Sequence, residues 1–167
     1  MSSDLKKEEL FNETEQDVEG KGFTIVDQDR ERPWGGFFVI DEAQAQEFAN
    51  TYFDHQPVDK LKISGKLSPK ILIVEPGKRL SWQYHHRRAE IWRVIEGPVG
   101  VITSETDEQG PLKTYEAGDQ ITLQQGERHR LVGLDNWGVL AEIWRHTDAR
   151  NPSDEDDIVR VEDDFGR

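Results

Sequence analysis

The sequence predicts an all-β domain, built as a barrel or a double-sheet jelly roll with one short helical insertion. Short runs of alternating apolar and polar residues recur from about 70 to 145, each of strand length and each closed by a turn signal. Pro76-Gly77, Gly97-Pro98, Glu108-Gln-Gly-Pro111 and Ala117-Gly118 mark those turns, because glycine and proline supply dihedral angles that strands do not use. No strand–helix alternation and no internal repeat occurs, which argues against doubly wound and solenoid architectures. A chain of 167 residues is long enough to bury the core of one domain.

The elements follow in order. Residues 1–21 carry seven acids and three lysines with few apolar residues, too little to offset the entropy of ordering. A flexible or loosely docked acidic arm is expected, with a short helix over Leu5 to Phe11 lying on a partner subunit as the alternative. The domain then runs from 22 to 167. Phe23-Thr-Ile-Val is a short strand, and Arg32-Pro-Trp-Gly35 is a turn leading into a second strand that ends near Ile40. Trp34 reads as a plug at one barrel end. Asp41 is suited to an N-cap, and strong helix formers follow it, so a helix is expected from about 42 to 53 within an insertion of about 41–66. Ala45, Phe48, Ala49, Tyr52 and Phe53 recur at helical spacing and would pack on the barrel. Ser68 to Val74 is the next strand. Further strands are expected at about 79–85, 90–95, 98–104, 112–115, 120–124, 128–133 and 138–145. Trp82, Trp92, Trp137 and Trp144 read as core or rim packing. The last stretch, 148–167, holds eight acids against three arginines, the composition of a disordered acidic tail.

Charge and composition exclude several functions. A net charge of −13 repels nucleic acid and anionic membrane surfaces. With no cysteine, disulfides and thiolate ligands are ruled out, so any metal must take nitrogen and oxygen donors. No apolar run approaches the roughly 18 residues of a membrane span, and Met1 to Glu9 lacks the apolar centre of a secretion signal. A cytoplasmic protein is expected.

Two stretches carry chemistry. Gln83 and His85 are two apart in an extended segment and face the same side. After a polar turn at His86 to Ala89, alternation resumes and aligns Glu90 with Trp92 and Val94. An amide oxygen, an imidazole and a carboxylate thus converge inside a sheet. In the second stretch, Gly118 to Gly133, alternation pairs His129 with Leu131 on the inner face and sets Arg128 and Arg130 outward. Gln83, His85, Glu90 and His129 are therefore the candidate ligands.

The spacing Gly77-x5-Gln83-x-His85-x4-Glu90-x6-Gly97 resembles the first cupin motif, with Gln83 in place of its first histidine. Gly118-x5-Gln124-x-Gly126-x2-His129-x3-Gly133 is similar to the second, with Gln124 and Gly133 where proline and asparagine are usual. Within the cupins the chain most resembles the type II phosphomannose isomerase (mannose-6-phosphate isomerase) family, usually the C-terminal part of enzymes that also make GDP-mannose. Arg32-Pro-Trp-Gly35, Pro76 to Ser81, Arg88-Ala89-Glu90-x-Trp92, His129-Arg130-Leu131 and Glu155 to Arg167 carry the likeness. It implies a cupin double-stranded β-helix, an ordered acidic C-terminal segment, a homodimer and a sugar-phosphate substrate. The family pattern has histidine where this chain has Arg87 and Ile91. No glycine-rich nucleotidyltransferase loop precedes the cupin motifs, so a stand-alone cupin without guanylyl transfer is expected.

Two imidazoles, a carboxylate and an amide oxygen suit one divalent metal, Zn, Mn, Fe, Co or Ni. Aldose–ketose isomerisation removes a proton beside a carbonyl and returns it to the neighbouring carbon, which needs charge stabilisation and a proton carrier. Arg88, Lys70 and Arg32 are the candidate phosphate-binding cations, and the resemblance implicates Arg88 in catalysis. His86 and Glu142 are both candidates for the base. The expected function is a metal-dependent isomerase for mannose 6-phosphate and fructose 6-phosphate, or a related heptose phosphate. The alternative is a non-catalytic metal-containing cupin that binds a sugar or sugar phosphate; a metal-dependent dioxygenase on the same fold is the third reading.

Overall fold

A computed structural model describes residues 3–54, 66–148 and 150–165. Helix α1 (Ser3–Gly20) is followed by β1 (Ile25–Arg32) and β2 (Gly35–Ile40), a 3-10 turn (Glu42–Gln44) and helix α2 (Ala45–Tyr52). Nine more strands follow: β3 (Lys70–Val74), β4 (Trp82–Tyr84), β5 (Arg88–Glu96), β6 (Val99–Ser104), β7 (Leu112–Tyr115), β8 (Gln120–Leu123), β9 (Arg128–Val132), β10 (Gly138–His146) and β11 (Val159–Glu162). They form two antiparallel sheets, β1-β2-β3-β10-β5-β8 and β11-β4-β9-β6-β7. The fold is the cupin jelly roll, and the interior between the sheets holds an apolar cluster of Leu72, Trp92, Val94, Val101, Leu131 and Leu140.

A second core lies on the other face of the first sheet. There Ile71, Ile73, Ile91, Ala141 and Ile143 pack against Phe11 and Val18 of α1 and Phe48 of α2. The flexible arm expected for residues 1–21 is therefore corrected: residues 3–20 are a helix, docked by Phe11 and Val18, each 1 % exposed. Phe11 meets Phe38 edge to face at 5.8 Å, and Arg30 bonds to Asn12 and Glu15. Two anchors suffice because the surface that receives them is itself apolar, which composition averaged over the segment does not register.

Asp41 caps the next helical segment, its Oδ1 accepting from the Ala43 amide at 3.0 Å. The expected helix of 42–53 is divided into the 3-10 turn and α2, and it buries Ala45, Phe48, Ala49 and Tyr52 as anticipated. Most of the remaining insertion, residues 55–65, lies outside the described residues, as do Gly166 and Arg167 of the C-terminal motif. Gly35 closes the turn before β2 at φ +145°, where a Cβ would sit 1.9 Å from the Ile73 carbonyl oxygen. That contact excludes any larger residue at this crossing.

The acidic C-terminal segment is ordered through residue 165, with β11 paired to β4. This pairing explains why Arg130, expected to face outward, is 0 % exposed. Its Nε donates to the Leu80 carbonyl at 2.8 Å, and its Nη2 lies 3.7 Å from Asp164. The last residues cover a face that would otherwise meet water.

Candidate metal centre

Three strands and one turn deliver the donors. Gln83 lies on β4 directly opposite His129 on β9, a register that puts both side chains on one face. His85 follows β4, and Glu90 approaches from β5 in the other sheet. His85, Glu90 and His129 are each 2 % exposed, and their donor atoms lie within 4.8 Å of one another. The Glu90 Oε1 to His129 Nε2 distance is 3.0 Å, and Glu90 Oε1 to His85 Nε2 is 3.4 Å.

Hydrogen bonds on the far side of each ring decide what the near side presents. His85 Nδ1 is 2.7 Å from the Asp157 carbonyl oxygen, and His129 Nδ1 is 3.1 Å from that of Glu127. A carbonyl only accepts, so each Nδ1 carries a proton, and the neutral ring then keeps its lone pair on Nε2. Burial pushes the His85 pKa down, which keeps that ring neutral. Two lone pairs then face Glu90, whose Oε1 is buried without a hydrogen-bond partner. Burial raises the Glu90 carboxyl, but the Arg88 guanidinium, 3.4 Å from its Oε2, works against burial, and the group is held well below the usual carboxylate range. Three electron-rich atoms crowd together; the Arg88 Nη2 donor lies 3.3 Å from His85 Nε2 and the Gln83 Nε2 donor 3.5 Å from His129 Nε2, while Glu90 Oε1 keeps no hydrogen bond of its own, an arrangement that a cation relieves. The residues therefore fit a divalent metal.

Gln83 needs a turn to join them. Its Oε1 accepts from Ser81 Oγ, and its Nε2 lies 3.5 Å from His129 Nε2. A half-turn of the amide brings the oxygen to the centre and leaves Ser81 able to accept from the NH2 group.

Glu90 and Gln83 open onto a cavity of about 90 Å3 that Lys70, Arg32, Arg88 and Glu142 also line. Arg88 is buried, stacks 3.6 Å above the Trp144 ring, and donates from Nη1 to Ser153 Oγ at 3.0 Å and to the Asp154 carbonyl at 2.9 Å. Its Nε is 3.4 Å from Glu90 Oε2. Lys70 is buried against Phe37 and Trp144 and pairs with Glu155. Arg32 pairs with Asp29 at 3.0 Å.

The two candidate bases part here. Glu142 lines the cavity and accepts from Trp92 Nε1 at 2.7 Å and Trp144 Nε1 at 2.8 Å. Burial, with the nearby charge of Glu90, pushes its pKa up to about 7. His86 is exposed, packs edge-on against Tyr84 at 5.4 Å and is not part of the cavity lining, so the structure does not bring it to the site. Arg87 and Ile91 also lie off the cavity: Arg87 sits 3.6 Å from Asp154 and 3.9 Å from Asp157, and Ile91 joins the outer core.

Sequence reasoning did not single out Asp157 or Arg160. Asp157 accepts from the His86 and Arg87 amides, both at 2.9 Å, and from Ser153 Oγ at 2.6 Å. Burial raises its pKa, but those hydrogen bonds prevail and bring it down to about 2. It thereby ties down the turn that carries His85. Arg160, on β11, lines the cavity. The signal for both was the acidic 155–165 stretch, which alternation alone does not resolve into contacts.

A family model described as mannose-6-phosphate isomerase C-terminal matches residues 46–163. Among curated relatives, xanthan biosynthesis protein XanB of Xanthomonas campestris pv. campestris is 33 % identical over 136 residues, covering 81 % of this chain and 23 % of that protein. Alginate biosynthesis protein AlgA of Pseudomonas aeruginosa is 31 % identical, covering 75 % of this chain and 24 % of its own. Mannose-1-phosphate guanylyltransferase ManC of Salmonella typhimurium is 29 % identical, with 81 % and 22 % covered. The chain thus spans about a quarter of the length of these relatives. Among solved structures, the capsular polysaccharide assembling protein CapF of Staphylococcus aureus superposes with a TM-score of 0.51 at 15 % identity, over 84 % of this chain and 32 % of that one, a likeness of fold.

Proposed function

The chain belongs to the mannose-6-phosphate isomerase C-terminal family, and on that premise we propose that it is a metal-dependent aldose–ketose isomerase. Its substrates would be mannose 6-phosphate and fructose 6-phosphate, with a related heptose phosphate as the nearest variant. The carrying observation is the convergence of two imidazole lone pairs and an unpartnered carboxylate oxygen beside a cavity that also holds Glu142. His85, Glu90, His129 and a turned Gln83 would hold the metal. When bound, the metal supplies Lewis-acid neutralisation of the negative charge that develops on the sugar oxygens.

The chain's own residues do the rest. Glu142, with a pKa near 7, is placed to accept the proton from C2 and return it at C1. The two indole N–H groups orient its oxygens and leave lone pairs free for that proton. Arg88, stacked on Trp144 and 3.4 Å from Glu90, positions the carboxylate. Trp92 and Trp144 wall the cavity and exclude water from a reaction that water would divert. Arg87 and Ile91 face away from the cavity, so the two departures from the family pattern remove no group from it, which favours the enzyme over the binding module. Guanylyl transfer, named for the Salmonella relative, is not carried over.

A cytoplasmic homodimer completes the reading. Strand β1 is a sheet edge with Val26 56 % exposed, and uncovered edges of this kind are commonly sealed by pairing. Light scattering at micromolar concentration should return twice the chain mass; a monomer refutes the dimer.

Deuterium exchange tests the activity. Metal-loaded protein incubated with mannose 6-phosphate in heavy water should replace the hydrogen at C2 and yield fructose 6-phosphate, both followed by NMR. Heptose phosphates are run in parallel. Sugar-phosphate binding with neither exchange nor product would overturn the isomerase and leave the binding module.

A further inference from the structure

We propose that the phosphate of the substrate is held at the cavity mouth by Arg160 and Lys70, and that Glu155 competes with it, occupying Lys70 until a phosphate displaces it. This rests on the sugar-phosphate reading above and assigns the anion subsite to residues other than Arg88.

Register places Arg160. Strand β11 runs antiparallel to β4 with Arg160 directly opposite Gln83, and directly opposed residues project to the same side of a sheet. Ile158, two residues earlier, lines the same cavity, as the two-residue period requires. Arg160 thus reaches the cavity from the same face as a candidate metal ligand.

Availability separates Arg160 from the other arginines there. Arg88 gives Nη1 to Ser153 and Asp154 and covers Trp144 with its guanidinium plane, and Arg32 is paired with Asp29. Among the described residues Arg160 makes no ion pair and no side-chain hydrogen bond, although the segment around it is strongly acidic. An unpaired guanidinium at a cavity mouth offers two parallel N–H donors, the geometry that phosphate oxygens accept.

Lys70 and Glu155 form an asymmetric pair. The Lys70 side chain is 7 % exposed and that of Glu155 is 63 % exposed. A buried ammonium is costly without a counter-charge, whereas an exposed carboxylate returns to water at little cost. The pair therefore keeps Lys70 neutralised with a ligand that leaves easily. A phosphate dianion brings more charge and a third oxygen, enough to meet Lys70 and Arg160 together.

Titration of the metal-free 167-residue protein with inorganic phosphate, mannose 6-phosphate and mannose tests this, with folding of each variant verified by thermal melts. Arg160→Gln should weaken both phosphate ligands about tenfold or more, the loss typical of a charge-assisted hydrogen bond, and Arg160→Lys should restore part of it. Glu155→Gln should tighten both, because it removes the competitor; a residue that merely held the loop in place would not do this. Mannose affinity should follow neither change. Undetectable binding of either phosphate ligand by the wild type, unchanged affinity in Arg160→Gln, or weakening in Glu155→Gln would overturn the subsite. Because the titration needs neither metal nor turnover, a protein that binds phosphate as described but shows no C2 exchange loses the isomerase and keeps the subsite. One that exchanges C2 but ignores Arg160→Gln loses the subsite alone.

Discussion

The two faces of β5 and β10 do opposite work with the same backbone. Toward the interior, β5 presents Glu90, Trp92 and Val94 and β10 presents Leu140, Glu142 and Trp144; toward the helices, the alternate positions present Ile91, Val139, Ala141 and Ile143. The outer face is stabilised mainly by apolar area beneath α1 and α2, with Arg93 of β5 at its rim, paired with Asp54 and donating to the Tyr52 carbonyl at 2.8 Å. The inner face carries a carboxylate oxygen and the Arg88 Nε, both buried without hydrogen bonds. Groups left in that condition cost stability, and a fold retains them where function concentrates. One face therefore holds the domain together, and the other spends part of that stability on a site.

Substitution should separate the two faces. Glu90→Gln should lower metal affinity roughly hundredfold or more, since loss even of outer-shell support costs up to that, and the metal-free protein should melt below wild type, because the change takes the carboxylate away from buried Arg88. A Gln NH2 can donate to His85 or His129 Nε2, where the carboxylate cannot, and so recovers only part of that loss. Elemental analysis and calorimetry check the two halves, and retained metal stoichiometry would dismantle the ligand assignment. His129→Ala should also lose metal, whereas His86→Ala should not.

Ile143→Ala is the mirror experiment. It should cost about 2–5 kcal/mol of folding free energy, the range for truncating a buried isoleucine, with full metal stoichiometry well below its melting point. Phe11→Ala should cost about 3 kcal/mol, near the low end because α1 contacts only one face of the domain. Urea midpoints measure both, and a metal loss matching the stability loss would mean the faces are coupled.

What was legible in the sequence follows the same division. Gln83, His85, Glu90 and His129 could be named as candidates because two-residue alternation is local, and local periodicity survives without tertiary information; the structure brings the donor atoms of His85, Glu90 and His129 within 4.8 Å of one another. Strand positions from β3 to β10 were legible for the same reason, with ends displaced by at most three residues, whereas β1 runs six residues past the expected strand at 23–26 and β11 was not anticipated. The docking of α1 was hidden because its partner surface is assembled from β2, β3 and β10, distant in sequence. Asp157 and Arg160 were hidden because an acidic stretch looks solvated until a strand partner is known, and the partner of β11 is β4, some 75 residues earlier. Arg130 shows the converse: alternation set it outward correctly, but a later segment covered it.

The smallest effect to look for is in pH dependence, and it sharpens the contrast within the inner face itself. Glu142 and His146 lie four residues apart on β10 and project to the same side. Burial raises Glu142 from its ordinary 4.5 to about 7, and burial, aided by Lys66 and Arg88, lowers His146 from 6.5 to about 4. His146 Nδ1 accepts from the Ser153 amide at 2.9 Å, so protonation there would break that bond. The signs oppose each other. The folded state holds a proton on Glu142 that the unfolded chain gives up, so stability from this group is full below about 4.5 and declines as pH rises to 7. The unfolded chain takes up a proton on His146 that the folded state refuses, so stability from this group is full above 6.5 and declines as pH falls to 4. Between 4.5 and 6.5 the two slopes partly cancel. Urea unfolding of the metal-free protein should therefore respond in opposite directions to the two substitutions: Glu142→Gln should make stability rise more steeply with pH across that interval, and His146→Gln should make it rise less or fall. Parallel pH profiles for wild type and both variants would show that neither group is held in its neutral form by the fold, and would remove Glu142 as the proton carrier, because a carboxyl with an ordinary pKa would be too weak a base near neutrality.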